Sequence, residues 1–171
     1  MRLLLVGAAA AVAVGVASAA TSPIAFHRAD GSRITFGGSP RVWCGRWEPD
    51  VPTRAVHVLV LRTRRNQSYW SLSAVVRDVH LGKAMRFPAG FVYTRPRRAQ
   101  LFVYDARTDN ELNSEDEDSR GTVVFSKFGC TRGQTVELTV RGTIGSEFFD
   151  GKPITVSGRF RGVVGKPPPG F

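Results

Sequence analysis

The sequence predicts an all-β fold: a single antiparallel β-sandwich of about eight to ten strands with one disulfide. Three observations carry this expectation. Short alternations of apolar and polar residues recur along the chain between turn residues. No stretch shows the apolar spacing of a long amphipathic helix. The 171 residues contain two cysteines, Cys44 and Cys130, behind an export-type N-terminus.

Residues 1–19 read as a cleaved secretory signal. Arg2 is a minimal basic start, residues 3–16 are apolar, and Ala17-Ser18-Ala19 is a small-x-small cleavage pattern. Ser18-Ala19-Ala20 is the competing frame. The rival reading is a transmembrane helix, which needs about 20 apolar residues; this run is shorter and rich in Ala and Gly. No second apolar run is long enough to span a bilayer. The expectation is therefore a protein secreted or held in the cell envelope, with no membrane span after cleavage. Cleavage after Ala19 leaves 152 residues, read as one domain over residues 20–164 and a flexible Pro-rich tail over residues 165–171. In an exported chain Cys44 and Cys130 are expected to bridge. No C-x-x-C and no neighbouring Cys/His cluster points to a metal or redox role for them.

The strands follow in order. Residues 21–40 read as an N-terminal hairpin with Ile24, Phe26, Ile34 and Phe36 as apolar points and Asp30-Gly31 as its turn. Val42-Trp43-Cys44 begins the next strand, and Trp43 or Trp47 is expected to cover the disulfide. Residues 48–52 form a breaker-rich loop. Residues 55–61 are apolar on both faces, the mark of a central strand. Trp70, Leu72, Ala74 and Val76 alternate with polar residues along the next strand. Residues 85–93 read as a strand broken at Pro88 and Gly90, with Pro88 at an edge. Residues 100–104 are a short apolar strand, and residues 121–130 lead into the second cysteine. Val136, Leu138 and Val140 alternate with Thr135, Glu137, Thr139 and Arg141. Residues 142–153 read as a long turn, and Ile154, Val156 and Phe160 mark the last strand.

Charge narrows the function. The chain has 24 Lys and Arg against 14 Asp and Glu, a formal net charge of +10. Only four of the basic residues are lysine (Lys83, Lys127, Lys152, Lys166). A basic exported protein is attracted to anionic envelope polymers or lipid headgroups. Nucleic-acid binding calls for a basic recognition helix or an aromatic platform at motif spacing, and neither is present.

Half of the acids, seven of 14, fall in residues 105–118. This stretch reads as an exposed excursion between strands. Calcium takes six to eight oxygens from a loop that folds around it, so Asp105, Asp109, Glu111, Asp116 and Asp118, with Asn113, are candidate ligands. The spacing is not that of an EF-hand, and a solvated acidic loop pairing with Arg95, Arg97, Arg98 or Arg120 explains the same residues. The turn holding Phe148 and Phe149 is a candidate hydrophobic contact. His27, His57 and His80 are scattered, and His57, inside the apolar central strand, reads as a hydrogen-bonded core residue. Trp43, Trp47, Trp70, Tyr69, Tyr93 and Tyr104 either fill the core or make a sugar-stacking face.

No nucleophile elbow, zinc-protease helix or phosphate loop occurs, and no catalytic residue or bound cofactor is expected. The sequence is read as a non-enzymatic envelope or extracellular binding or structural module, whose partner is an anionic envelope polymer or a protein. A calcium-dependent ligand-binding module using residues 105–118 and a secreted hydrolase are the alternatives. Over about the last third of the chain, Gly121-Thr-Val-Val-Phe125, Cys130-Thr-Arg-Gly133, Gly145-Ser-Glu-Phe148 and Gly151-Lys-Pro-Ile-Thr-Val-Ser-Gly158 resemble uncharacterised exported or lipid-anchored bacterial β-sandwich proteins. The resemblance rests on turn glycines, one cysteine and strand alternation. It implies a fold and a compartment, and no activity. The chain lacks the cysteine after the signal that lipid anchoring uses.

Overall fold

Where apolar and polar residues alternate, a strand buries one face and leaves the other in water. The chain does this repeatedly. The computed structural model describes residues 24–48, 51–60, 62–87, 99–116, 118–146 and 151–167. The expected signal segment, the break at residues 88–90, Tyr93, the arginines at 95, 97 and 98, and Phe148 and Phe149 lie outside the described residues. Among the described residues there are eleven strands: β1 (Ala25–His27), β2 (Arg33–Ile34), β3 (Pro40–Glu48), β4 (Val51–Val60), β5 (Tyr69–Val75), β6 (Ala84–Phe87), β7 (Ala99–Asp105), β8 (Asn110–Asn113), β9 (Arg120–Lys127), β10 (Thr135–Ser146) and β11 (Ile154–Val163).

The strands form one curled antiparallel sheet in the order β2-β1-β11-β10-β8-β7-β5-β4-β3, with β9 and then β6 branching from β10. β10 is the pivot. One of its edges pairs with β11 from Thr135 to Ile144. Its other edge pairs first with β9, ending at Thr143 opposite Arg120. It then passes to β8, with Gly145 opposite Asn113. The sheet forks at that handover, and its two arms fold over a common core. Trp70 of β5 meets Phe26 of β1 and Phe160 of β11, with ring centroids 5.6 and 6.3 Å apart. Leu72, Leu101, Leu112, Val123, Phe125, Leu138 and Val156 fill the space between.

The free edge of β3 is fastened back onto the other arm. Val42 makes a parallel bridge with Val164, and the Gly165 N–H donates to the Val42 carbonyl at 2.8 Å. Cys44 and Cys130 form the expected disulfide, with Cα atoms 5.5 Å apart. Closing so long a loop stabilises the fold by about 4 to 5 kcal/mol in the chain-entropy picture.

The β1–β2 hairpin, the central placement of β4 and the core face of β5 match the sequence reading. Four details correct it. First, residues 142–146 extend β10 and are not part of a turn. Gly142 looks like a turn residue, but a Cβ there would lie 2.7 Å from Gly121 Cα and 2.8 Å from Phe87 Cζ. The glycine admits the Phe87 ring, and no reversal occurs. Second, residues 105–118 are not a simple exposed excursion. They contain β8, whose Leu112 is fully buried, and Asp105 is only 1% exposed. Third, β5 stops at Val75, and Val76 opens a short 3-10 turn, Val76–Asp78. Fourth, Gly165 is tied to Val42, so the tail does not begin there.

Candidate functional site: an arginine-bearing sheet face

On β9, β10 and β11 the outward half of the alternation is built from Thr, Ser and Arg. Register sets these residues side by side. One row runs Arg86–Thr122–Arg141–Ser157 across β6, β9, β10 and β11. A neighbouring row runs Ala84–Val124–Thr139–Arg159. A third runs Arg120–Thr143–Thr155–His27–Arg33, carrying the face into β1 and β2. A register shift skips Ser126, so Lys127 stands opposite Glu137 and shares its side of the sheet.

The face therefore displays Arg33, Arg86, Arg120, Lys127, Arg141, Arg159 and Arg161, all exposed, around one acid, Glu137. That acid is already engaged: Lys127 Nζ and Arg161 Nε each lie 3.2 Å from its Oε1. Arg86, Arg120, Arg141 and Arg159 have no ion-pair partner among the described residues. Beside Arg159 and Arg161 the face dips into a shallow depression of about 470 Å³, whose lining includes Ser126, Thr139 and Glu137. Neighbouring strands are about 4.8 Å apart, so the guanidinium groups form a grid with hydroxyls between them. Such a grid suits an extended ligand carrying many negative charges. Arginine's planar fork of donors matches carboxylate and phosphate oxygens.

The acids expected around calcium are dispersed. Asp105 takes two donors from Arg28: Nε to Oδ2 at 2.5 Å and Nη2 to Oδ1 at 2.7 Å. Burial alone would raise the pKa of this carboxyl. The Arg28 bonds, with those from the Arg107 N–H and the Thr108 hydroxyl, outweigh burial and hold it below the ordinary carboxylate value. Asp109, in the left-handed conformation with φ 50°, accepts from the Tyr104 hydroxyl at 2.8 Å. Glu111 stands opposite Tyr104 on β8. Asp116 accepts from the Asn113 N–H, and Asp118 is exposed beyond it. Among the described residues no three His, Cys, Asp or Glu side chains converge on a point where a metal ion could sit.

Trp43, His57, Tyr69 and Tyr104 lie on β3, β4, β5 and β7, away from this face. Trp70 is in the core. Neighbours along a strand face opposite ways, so Trp43 points away from the side of β3 that carries Cys44. Its ring stacks on His57, with centroids 5.1 Å apart. His57 is 7% exposed, with Nε2 2.9 Å from the Arg46 carbonyl and Nδ1 2.9 Å from Ser73 Oγ. A carbonyl can only accept, so Nε2 carries the proton and Ser73 donates to Nδ1. Tyr69, Phe102 and Tyr104 stack further along, with the Arg62 guanidinium over both tyrosines at 4.4 and 4.7 Å.

The arginine face was not singled out from the sequence. Its signal was present in the outward positions of three adjacent strands, but only register shows that they share one surface. No protein-family model, curated protein or solved structure matches the chain.

Proposed function

We propose that the protein is a non-enzymatic extracytoplasmic binding module that docks on an anionic polymer of the cell envelope through the β9–β10–β11 face. The observation that carries this reading is the imbalance of that face: seven cations around a single, already paired acid. The disulfide is compatible with an oxidising compartment outside the cytoplasm. The surroundings of the Ser73–His57 contact favour a non-enzymatic role. Trp43 lies over the ring, and its second nitrogen is taken by a carbonyl rather than a carboxylate.

The test compares two triple variants of equal charge. Arg86→Gln/Arg141→Gln/Arg159→Gln empties the face. Arg54→Gln/Arg77→Gln/Lys83→Gln removes the same charge elsewhere. Binding to immobilised polyphosphate and to a polyuronate is measured across salt concentrations. Affinity should fall as salt rises, since bound cations of the polymer are released. The face variant should bind at least tenfold more weakly than the control variant, about 1.4 kcal/mol. Equal loss in both would mean that net charge, and not this face, attracts the polymer.

A further inference from the structure

A second cationic feature adjoins the sheet face, sharing only Arg33 with it, in a cavity of about 420 Å³ where three chain segments meet. The β1–β2 hairpin contributes Arg28 and Arg33, the β4–β5 connection contributes Arg65 and Ser68, and the β7–β8 turn contributes Arg107. Arg33, Arg65 and Arg107 have no ion-pair partner among the described residues. None of the described residues lining the cavity is acidic, and the carboxylate nearest to Arg28, Asp105, has both oxygens bonded to that arginine. Three guanidinium groups outside any close ion pair therefore line the cavity, and Asp30 acts on Arg107 only through space.

Its walls are cross-linked. Asn66 Nδ2 donates to the Thr35 carbonyl at 2.5 Å, joining the β4–β5 connection to the hairpin. Asn66 Oδ1 accepts from the Ser68 N–H at 2.9 Å, and Ser68 Oγ accepts from the Ala106 N–H at 3.0 Å. The Arg28–Asp105 pair joins the hairpin to β7. The arginine-bearing segments are thus held at fixed separations before any ligand arrives, and this lowers the ordering cost of binding. Three like charges held together repel one another, and a multiply charged anion between them would relieve that repulsion.

We infer that this cavity is a phosphate-group site, in which Arg33, Arg65 and Arg107 surround a phosphomonoester or phosphodiester. Arginine forks match tetrahedral phosphate oxygens in pairs. The volume leaves room for a small substituent such as glycerol beside the phosphate. The assignment does not rest on the reading of the sheet face, because Arg65 and Arg107 lie off that face.

The experiment is a calorimetric and thermal-shift titration of the protein, disulfide intact, with inorganic phosphate at constant ionic strength set by chloride. A saturable rise in Tm and a measurable heat are expected. Arg65→Gln/Arg107→Gln should keep the ligand-free Tm within a few degrees and weaken phosphate binding at least tenfold. Arg65→Lys/Arg107→Lys keeps the charge and loses the fork, and should recover only part of the affinity. Glycerol phosphate and a glycerophosphodiester form the second arm. Binding of inorganic phosphate alone assigns a free ion, whereas binding of the diester assigns a headgroup or polymer phosphate. The site is overturned if chloride reproduces the shift, or if the Arg65/Arg107 variant binds phosphate as the parent does. Arg86→Gln/Arg141→Gln/Arg159→Gln should leave phosphate binding unchanged, so the two cationic features succeed or fail separately.

Discussion

The two outward faces of the sheet are built by the same alternation and end in opposite states. On β9, β10 and β11 the outward side chains are mostly Arg, Lys, Thr and Ser, with Val124 and Glu137 among them, and the arginines and Lys127 stay in water. On β3, β4 and β5 they include Trp43, His57 and Leu59, which are 3%, 7% and 8% exposed. The first face contributes little to holding the fold together and is free to meet a partner. The second is part of the packing, and its histidine ring is sealed between an indole and the sheet. Period-two alternation thus says which side of a strand faces the core, and residue chemistry decides what becomes of the other side.

Substitutions on each face should separate these roles. The largest effect is expected at Trp43→Ala, which removes the cover from His57 and leaves a hole. Core truncations of this kind cost about 3 to 5 kcal/mol, measurable by urea unfolding. Asp105→Ala comes next, because it strands the nearly buried Arg28 and unties the β1–β2 hairpin from β7. Breaking such a pair costs about 3 kcal/mol, and Asp105→Asn should recover part of it through its remaining hydrogen bonds.

A smaller effect is expected from pH. Burial holds the His57 pKa below its ordinary value of 6.5, and the Arg46 carbonyl only partly offsets this. The unfolded chain therefore takes up the proton first. Stability should be insensitive to His57 above pH 6.5 and decline as pH falls from there to the folded-state pKa. His57→Gln should flatten that decline, read from unfolding midpoints at several pH values. Asp105, whose folded pKa lies below 3.8, contributes a separate loss as pH falls from about 3.8 through its folded-state pKa. The smallest change in stability is expected on the arginine face. Arg141→Gln and Arg159→Gln should each shift the unfolding free energy by no more than about 0.5 kcal/mol. A large loss at either position would make the arginine face structural and undo the contrast.

Much of the fold was legible in the chain because burial and turn chemistry act locally. Phe26 and Ile34 across Asp30-Gly31, the two-sided apolar run of β4, and the pair of cysteines all led to the right element. Gly142 misled because glycine serves two purposes, and only the neighbouring Phe87 tells close approach from chain reversal. The acidic stretch misled for a related reason. Charge density suggested an exposed loop, yet Leu112 in its middle is a core residue and Asp105 has a partner 77 positions away. The candidate sites were the least legible. Arg86, Arg120, Arg141 and Arg159 share a surface only through strand register, and Arg33, Arg65 and Arg107 share a cavity only through tertiary closure.

The bridge between Cys44 and Cys130 spans 86 positions and makes a covalent ring that contains β4 through β9. A protease that cuts once anywhere inside this ring opens it without releasing a fragment. The nicked molecule would gain only the mass of one water, and the segment that carries β10 and β11 would stay joined to β3 until the bridge is reduced. A single backbone cut in this region would therefore leave both arms of the sheet covalently joined.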